Sequence, residues 1–297
     1  MTSSPTDGID RQLTEAGLDP AHVRAVARAT LAEDLQWGPD VTSEATLPEA
    51  VATAEIVSRA AGCLAGGPVA AAVFEELAAQ RGETIEVEIV RPDGARLQPG
   101  DVALRVTGQL RTLLTAERSA LNLSCQLSGV ATQTRAWADA LEGSGARVRD
   151  SRKTVPGLRV LQKYAVRCGG GVNHRMGLGD SALIKDNHVA AAGSVAAAFR
   201  AVRERRPDIA VEVECDTLDQ VREAVDAGAS LILLDNMTPG VMREAVAVCA
   251  PRGVRTEASG GLTLATVHEV AATGVDYISV GGLTHSAPAL DLGMDLR

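Results

Sequence analysis

The chain has 297 residues and a formal net charge of −9, with 45% hydrophobic residues of which very few are rings, since aromatics make up only 2%. That length supports one large domain or two, and the acidic balance excludes general nucleic-acid binding, which needs a basic footprint over a whole face. A core of Ala, Val, Leu and Ile suits helices packed on parallel strands better than an aromatic-rich β-sandwich.

Residues 1 to about 9 are polar and are expected to fray. Asp19-Pro20 marks a helix start, with Asp as N-cap and Pro at the first helical position. Val23, Val26, Ala27, Thr30 and Leu31 follow at helical spacing, so the helix is expected to run to about Leu35, where QWGPD turns the chain. Strands are expected over 52–58, 84–90 and 102–106, with a helix at 67–80 between the first two. PDG at 92–94 and PG at 99–100 mark turns. This reads as a small α+β domain. From Thr112 to about Glu142 only Gly129 interrupts a helical pattern, which implies one long helix or a helix pair.

After Gly145 the texture becomes a βα rhythm. Candidate strands are 147–150, 181–185, 209–214, 230–235, 254–258 and 276–280, and helical patterns lie near 156–168, 193–206, 217–227, 238–249 and 263–272. The later strands recur every 20 to 25 residues, the length of a strand plus a crossover helix. Six such strands make either an open doubly wound sheet or a barrel with fewer strands than eight. No GxGxxG follows the first strand and no GxxxxGK[ST] occurs, so dinucleotide and P-loop readings are weak. No apolar run is long enough to span a membrane, and MTSSPTDGIDRQ has neither a basic n-region nor an apolar h-region. Cys63, Cys125, Cys168, Cys215 and Cys249 are odd in number and widely spaced, as expected of reduced, mostly buried thiols in a cytoplasmic protein.

The stretch 147–185 stands out. It carries nine Lys and Arg against two acids, a local charge of +7 in an acidic protein. Crowded cations repel unless an anion sits among them, and guanidinium groups match carboxylate and phosphate oxygens two at a time. Gly169-Gly170-Gly171 and Gly177-x-Gly179 let backbone pass close to a ligand. His174 and His188 add donors. Arg159, Lys163 and Arg167 fall at i, i+4, i+8, for which a solvated helix stripe is the default; His22 and His268 lie on predicted helices and read as structural.

In parallel α/β folds ligands gather at the carboxyl ends of strands. Ser151-Arg152-Lys153, Lys185, Glu214, Asp235, Ser259-Gly260-Gly261 and Gly281-Gly282 stand at the six ends in turn. The glycines after the last two strands expose N–H groups suited to phosphate. Glu214 and Asp235 are placed to share Mg²⁺ with a phosphorylated substrate, to offset a developing cation, or to pair with Lys153 and Lys185. Glu212, two residues from Glu214, is expected to face the same side. Lys185 is also a candidate Schiff-base amine.

The motifs DSRKTVPGLR (150–159), GGGVNHRMGLGD (169–180), IKDNH (184–188), EVEC (212–215), LDNM (234–237), EASGG (257–261) and SVGGLTHSAPALDLGMDL (279–296) closely resemble the quinolinate phosphoribosyltransferase family, as do LAEDLQWGPDVTSEAT (31–46) and AERSALNLSCQLSGVAT (116–132). Ser119 and Ser124-Cys125 depart from that pattern in packing detail. The resemblance implies an N-terminal α/β sandwich over 1–126, to which a tail of 285–297 returns, and an incomplete six- or seven-stranded parallel α/β barrel over 127–284. It implies transfer of the phosphoribosyl group of 5-phosphoribosyl 1-pyrophosphate (PRPP) to quinolinate, with decarboxylation to nicotinate mononucleotide for NAD synthesis. Arg118, Arg152, His174, Arg175 and Lys185 would hold the two carboxylates of quinolinate. Lys153 would reach PRPP, Glu214 and Asp235 would handle the ribose and Mg²⁺, and Ser259, Gly260, Gly281 and Gly282 the 5′-phosphate. In the family Arg118 enters the neighbouring subunit's site, which implies a cytoplasmic homodimer with shared sites, or a higher homo-oligomer. A same-fold phosphoribosyltransferase for another base and a Lys185 aldolase are the alternatives.

Overall fold

The computed structural model describes residues 5–297. Of the residues expected to fray, the first four lie outside the described ones; from Pro5 the chain is already helical, as α1 (Pro5–Glu15), because Ile9 and Leu13 bury one helix face. Helix α2 (Pro20–Leu35) begins as its sequence dictates, with the Asp19 carboxylate accepting from the Ala21 N–H at 3.0 Å. The QWGPD turn leads into a short helix that periodicity does not reveal, α3 (Val41–Thr46), capped by Asp40, which accepts from the Ser43 N–H at 3.0 Å.

The chain continues through β1 (Val51–Ser58), β2 (Gly62–Cys63), α4 (Gly67–Arg81), β3 (Glu86–Ile89), β4 (Arg96–Leu97) and β5 (Val102–Gln109) into a single 31-residue helix, α5 (Leu110–Ala140). Alternation then gives β6 (Arg147–Arg149), α6 (Arg159–Cys168), β7 (Ala182–Ile184), α7 (Asp186–Ala192), α8 (Val195–Arg205), β8 (Val211–Cys215), α9 (Leu218–Asp226), β9 (Leu231–Asp235), α10 (Pro239–Cys249), β10 (Arg255–Ser259), α11 (Val267–Ala271), β11 (Tyr277–Ser279), α12 (Gly282–His285) and β12 (Leu292–Leu296). None of the five cysteines forms a disulfide among the described residues, and three of them are buried; no helix is long and apolar enough to cross a membrane among the described residues.

Two compact units result. One comprises Met1–Gln133, Val160–Gly170 and Ser286–Arg297; the other comprises Thr134–Arg159 and Gly171–His285. The first holds an antiparallel sheet in the order β12-β1-β5-β3, in which the last strand of the chain runs beside β1 from Ser58↔Leu292 to Ala54↔Leu296. Small residues let α4 bury nearly its whole surface. The half-buried Asp93 carboxylate accepts the N–H groups of Gly66 (2.7 Å) and Gly67 (3.0 Å), where α4 begins, together with the Tyr164 hydroxyl (2.6 Å). Most of α6 belongs to this unit, and here the expected solvated stripe is corrected. Lys163 is fully buried, within a run of six buried residues from Leu161 to Val166, and Arg167 stacks over Tyr164 while donating to the Ala16 carbonyl at 2.8 Å. Enclosure of the helix buries Lys163, which spacing on one face cannot reveal, while Arg159 is half-buried and Arg167 stays exposed as expected.

The second unit is the incomplete parallel barrel. Its six strands run in the order β6-β11-β10-β9-β8-β7, so chain neighbours from β7 to β11 are sheet neighbours and the first strand lies beside the last. No ladder joins β6 to β7 among the described residues, and the barrel stays open there.

Gly129, the lone breaker in the α5 pattern, has a packing cause in the first unit. A Cβ there would lie 2.0 Å from the Pro288 carbonyl oxygen. Gly129→Ala should therefore destabilise the protein by about 1–3 kcal/mol, the usual effect of overpacking. Urea unfolding measures this, and hydrogen exchange should show 286–297 losing protection first.

Candidate active site

Strand alternation builds the inner face of the barrel in two layers. Side chains two residues apart share a side, so each strand contributes one residue deep in the barrel and one at its mouth. The deep set is Arg149, Leu183, Glu212, Leu233, Glu257 and Ser279; the mouth set is Ser151, Lys185, Glu214, Asp235, Ser259 and Gly281. All but Arg149 and Glu212 line a single cleft of about 800 Å³, together with Arg152, Lys153, His174, Arg175, Asn236, Gly260, Gly261, Gly282 and His285. Every predicted site residue except Arg118 thus belongs to this cleft. Arg118 stands exposed on α5, in the first unit.

At the mouth, the Lys185 ammonium donates to Glu214 at 2.8 Å. An ammonium 47% exposed and already paired is unlike the desolvated amine that Schiff-base chemistry needs. Beside it, Asp235 accepts from the Asn236 side-chain amide at 2.6 Å. Asn236 is the one non-glycine residue with positive φ (52°) among the described residues, and its N–H donates to the Ser259 carbonyl at 3.0 Å. Gly260 (φ +96°) presses on it so closely that a Cβ would fall 2.1 Å from Asn236 Oδ1. Only glycine fits there. Gly281 plays the matching part on the other side, where a Cβ would meet Lys153 Cδ at 2.9 Å. The Lys153 backbone is held from two sides, its N–H donating to Ser151 Oγ (3.1 Å) and its carbonyl accepting from the Thr284 hydroxyl (2.7 Å).

The loop after β6 brings in Arg152, and the glycine-rich loop after α6 brings in His174 and Arg175. Fully buried Asp150 accepts from the His174 N–H at 2.8 Å and the Asn173 amide at 2.6 Å, which sets the direction of the loop. The Nε of Arg152 and the Nε of Arg175 are both buried without a hydrogen-bond partner. Burial, reinforced by the charge of Arg152, lowers the pKa of Arg175. Two neighbouring guanidinium groups, each with an unused donor, form a site for an anion.

Both ring nitrogens of His174 are engaged. Nδ1 accepts from the Arg175 N–H at 2.7 Å, and Nε2 lies 2.8 Å from Glu212 Oε2. That pattern assigns the neutral Nε2–H tautomer, so to hold a ligand carboxylate through Nε2, His174 would exchange Glu212 for it. His188 instead accepts from the Lys185 N–H at 3.0 Å at the start of α7, a structural use. His22 and His268 lie on α2 and α11, as expected.

Of the deep layer, sequence reasoning singled out only Glu212, which does face the same side as Glu214. Arg149 pairs with Glu257 and lies 3.9 Å from Glu212, while the Ser279 hydroxyl donates to Glu257. His174, Glu212 and Glu257 offer atoms within 4.8 Å of one another, but a guanidinium occupies the same space, so the array is an ion cluster. Burial raises the Glu212 pKa against the pull of Arg149. Burial and the nearby Glu212 charge push Glu257 up to about 7, opposed by Arg149. The only sequence signal for this layer was position: each member lies two residues before a strand-end residue that stood out.

The family model described as "Quinolinate phosphoribosyl transferase, C-terminal domain" matches residues 130–295, and the corresponding N-terminal domain model matches 40–128. The nicotinate-nucleotide pyrophosphorylase (carboxylating) of Mycobacterium leprae (strain TN) is 50% identical over 288 residues, which is 96% of this chain and 100% of that protein. A probable nicotinate-nucleotide pyrophosphorylase (carboxylating) of Bacillus subtilis (strain 168) is 43% identical over 89% of this chain and 90% of its own length. Among solved structures, NadC from Streptococcus pyogenes superposes with a TM-score of 0.88 at 40% identity, covering 94% of this chain and 98% of that one.

The raised Glu257 pKa has a consequence for folding. Below the ordinary carboxyl range the residue is protonated folded or unfolded, and its neutral buried form is no burden. As pH rises toward and through about 7, the unfolded chain gains by ionising first, so this contribution to stability is lost. Glu257→Gln should remove that loss. From pH 5 to pH 8 the unfolding free energy of wild type should fall, relative to the variant, by on the order of 1–3 kcal/mol, as read from denaturant titrations at each pH.

Proposed function

Because the chain belongs to the quinolinate phosphoribosyltransferase family, we propose that it transfers the phosphoribosyl group of PRPP to the ring nitrogen of quinolinate, releasing pyrophosphate and CO2 and giving nicotinate mononucleotide for NAD synthesis. The observation that carries this reading is the pair of buried, unused Arg152 and Arg175 donors in the cleft that also holds Lys153, three acids and four glycines. A diacid and a phosphosugar both find their counter-groups there.

Arg152, Arg175 and Lys185 hold the carboxylates of quinolinate, with His174 beside them. Lys153 contacts PRPP, and the backbone of Ser259, Gly260, Gly281 and Gly282 cradles the 5′-phosphate, side chains being excluded where Gly260 and Gly281 pass close to their neighbours. The pyridine nitrogen attacks the anomeric carbon as pyrophosphate leaves, so no protein nucleophile is needed. Glu214 and Asp235 face the positive charge that develops on the ribose and lower its energy. Their oxygens, on the adjacent strands β8 and β9, also suit Mg²⁺, which keeps waters and binds through one or two carboxylates plus substrate phosphates. When bound, that ion neutralises charge on the leaving pyrophosphate. Once the ring nitrogen is alkylated, the pyridinium accepts the electron pair freed when CO2 departs.

Arg118 completes the set from a neighbouring subunit, which makes a homodimer with shared sites the functional unit; its exposure on α5 leaves it available for that. A cytoplasmic setting fits five cysteines that form no disulfide among the described residues.

Mass analysis of products from PRPP, Mg²⁺ and quinolinate, with CO2 measured, tests the activity. Nicotinate in place of quinolinate should be used at least tenfold less well, since a charge-assisted hydrogen bond contributes about 1.5–3 kcal/mol. Equal use would assign the site to another base. Asp235→Asn should lower kcat about a hundredfold while changing quinolinate affinity far less; the opposite split would remove its role at the ribose. In a mixture of inactive Arg118→Ala and inactive Lys153→Ala chains, with subunit exchange shown by tagging, half the dimers are mixed and half of their sites are intact. Roughly a quarter of wild-type activity should return, whereas sites built from one chain would give no rescue.

A further inference from the structure

Arg152 and Arg175 ride on different loops, one after β6 and one after α6, yet both line the cleft. Like charges brought close repel, so something must hold the two loops together. At their roots the loops are joined by Asp150, which accepts the His174 N–H at 2.8 Å, and by a β-bridge that pairs Arg149 with Val172. Toward their tips the join is Arg159, for which helix spacing suggests a solvated stripe. From the first residue of α6 its guanidinium turns back onto both loops. Nε donates to the Thr154 hydroxyl at 3.1 Å, Nη2 to the Arg152 carbonyl at 3.5 Å and Nη1 to the Met176 carbonyl at 3.1 Å. The first two acceptors belong to the loop that carries Arg152; the third is on the residue after Arg175.

Resting on the quinolinate reading above, we propose that Arg159 is the positioning residue that sets the separation of Arg152 and Arg175, and that through this spacing the site prefers a pyridine diacid to a monoacid. Arg159 is half-buried and does not line the cleft. It acts through the loops and not on the ligand.

Three features carry this. A guanidinium is a rigid planar fork of N–H donors, so bonds made on two sides of it fix a distance as well as a charge. Each loop is otherwise closed on itself. The Arg152 carbonyl also accepts the Thr154 N–H at 3.0 Å, Asp180 accepts the N–H groups of Met176 (2.6 Å) and Gly177 (2.8 Å), and the Ser181 carbonyl accepts from Arg175 Nη1 at 3.0 Å. The bond from Arg159 to Met176 therefore joins two preformed pieces. Finally, the acceptors of Arg159 are two carbonyls and a hydroxyl, so its charge is not cancelled by them and adds to the attraction of the cleft for anions. A diacid that engages both loops gains fully from its second contact when the spacing is preset. A monoacid needs one loop and gains little.

Equilibrium binding of quinolinate and of nicotinate, by calorimetry, reads that spacing, and steady-state kinetics give KM for PRPP on the same samples. Arg159→Lys keeps the charge but cannot span three acceptors. In it, quinolinate affinity should fall about tenfold, while nicotinate affinity and KM for PRPP stay near their wild-type values. Loss of structure alone would weaken all three together. Thr154→Val removes one acceptor and leaves Arg159 in place; it should lower the quinolinate-to-nicotinate affinity ratio by about threefold, and it decides the matter should Arg159→Lys fail to fold. A wild-type ratio in the folded variants, or equal losses for quinolinate, nicotinate and PRPP, overturns the proposal while leaving the proposed reaction intact. Wild type that binds nicotinate as tightly as quinolinate overturns the diacid reading itself.

Discussion

The ion cluster of Arg149 with Glu257 and Glu212 sets the level on which the second unit is built. Charges brought out of water are tolerated only when paired, and loss of one partner leaves the rest uncompensated. Here three strands, β6, β8 and β10, each contribute one member, so the cluster holds their mutual register as well as their charges. A one-residue slip of any of these strands would turn its charge away from the barrel. With the deep layer placed in this way, the mouth layer follows two residues on, about 6–7 Å higher along each strand. Ser151, Lys185, Glu214, Asp235, Ser259 and Gly281 converge because the layer beneath them is locked.

The cluster also separates two uses of charge. In the deep layer opposite charges neutralise one another out of water. At the mouth they are deliberately incomplete: Lys185 and Glu214 are paired, but Arg152 and Arg175 keep buried donors unused. An incomplete pairing has a cost, seen in the lowered pKa of Arg175, and an anionic ligand relieves it. Small residues do the complementary work. Gly260 and Gly281 leave room where Asn236 and Lys153 press in, so no side chain covers the backbone of the last two strand ends.

The local charge of +7 over 147–185 does not act as one surface. Arg149 goes to the barrel floor, Lys163 and Arg167 go to the first unit on α6, and Arg152, Lys153, Arg175 and Lys185 line the cleft. Of nine cations, four therefore face the ligand space. The same division places four cations in the cleft of a chain whose net charge is −9.

Much of this was readable from the chain alone. Asp19-Pro20 specified the start of α2, the βα rhythm specified six parallel strands, and the polar residues at their carboxyl ends named nearly every group at the mouth, because capping, periodicity and strand-end position are local properties. Motif resemblance added the roles. The tertiary structure decided what depends on neighbours distant in sequence. Glu257 reads as one acid in a short strand until β6 and β8 bring Arg149 and Glu212 against it; Lys163 reads as a surface cation until helix α6 is enclosed; Gly129 reads as a flaw in a helix until the Pro288 carbonyl lies on it. Asn236, with its positive φ, shows the same limit at the site itself. Burial and close approach are properties of pairs of segments, and a single sequence states the pattern of each segment without stating which other one it meets.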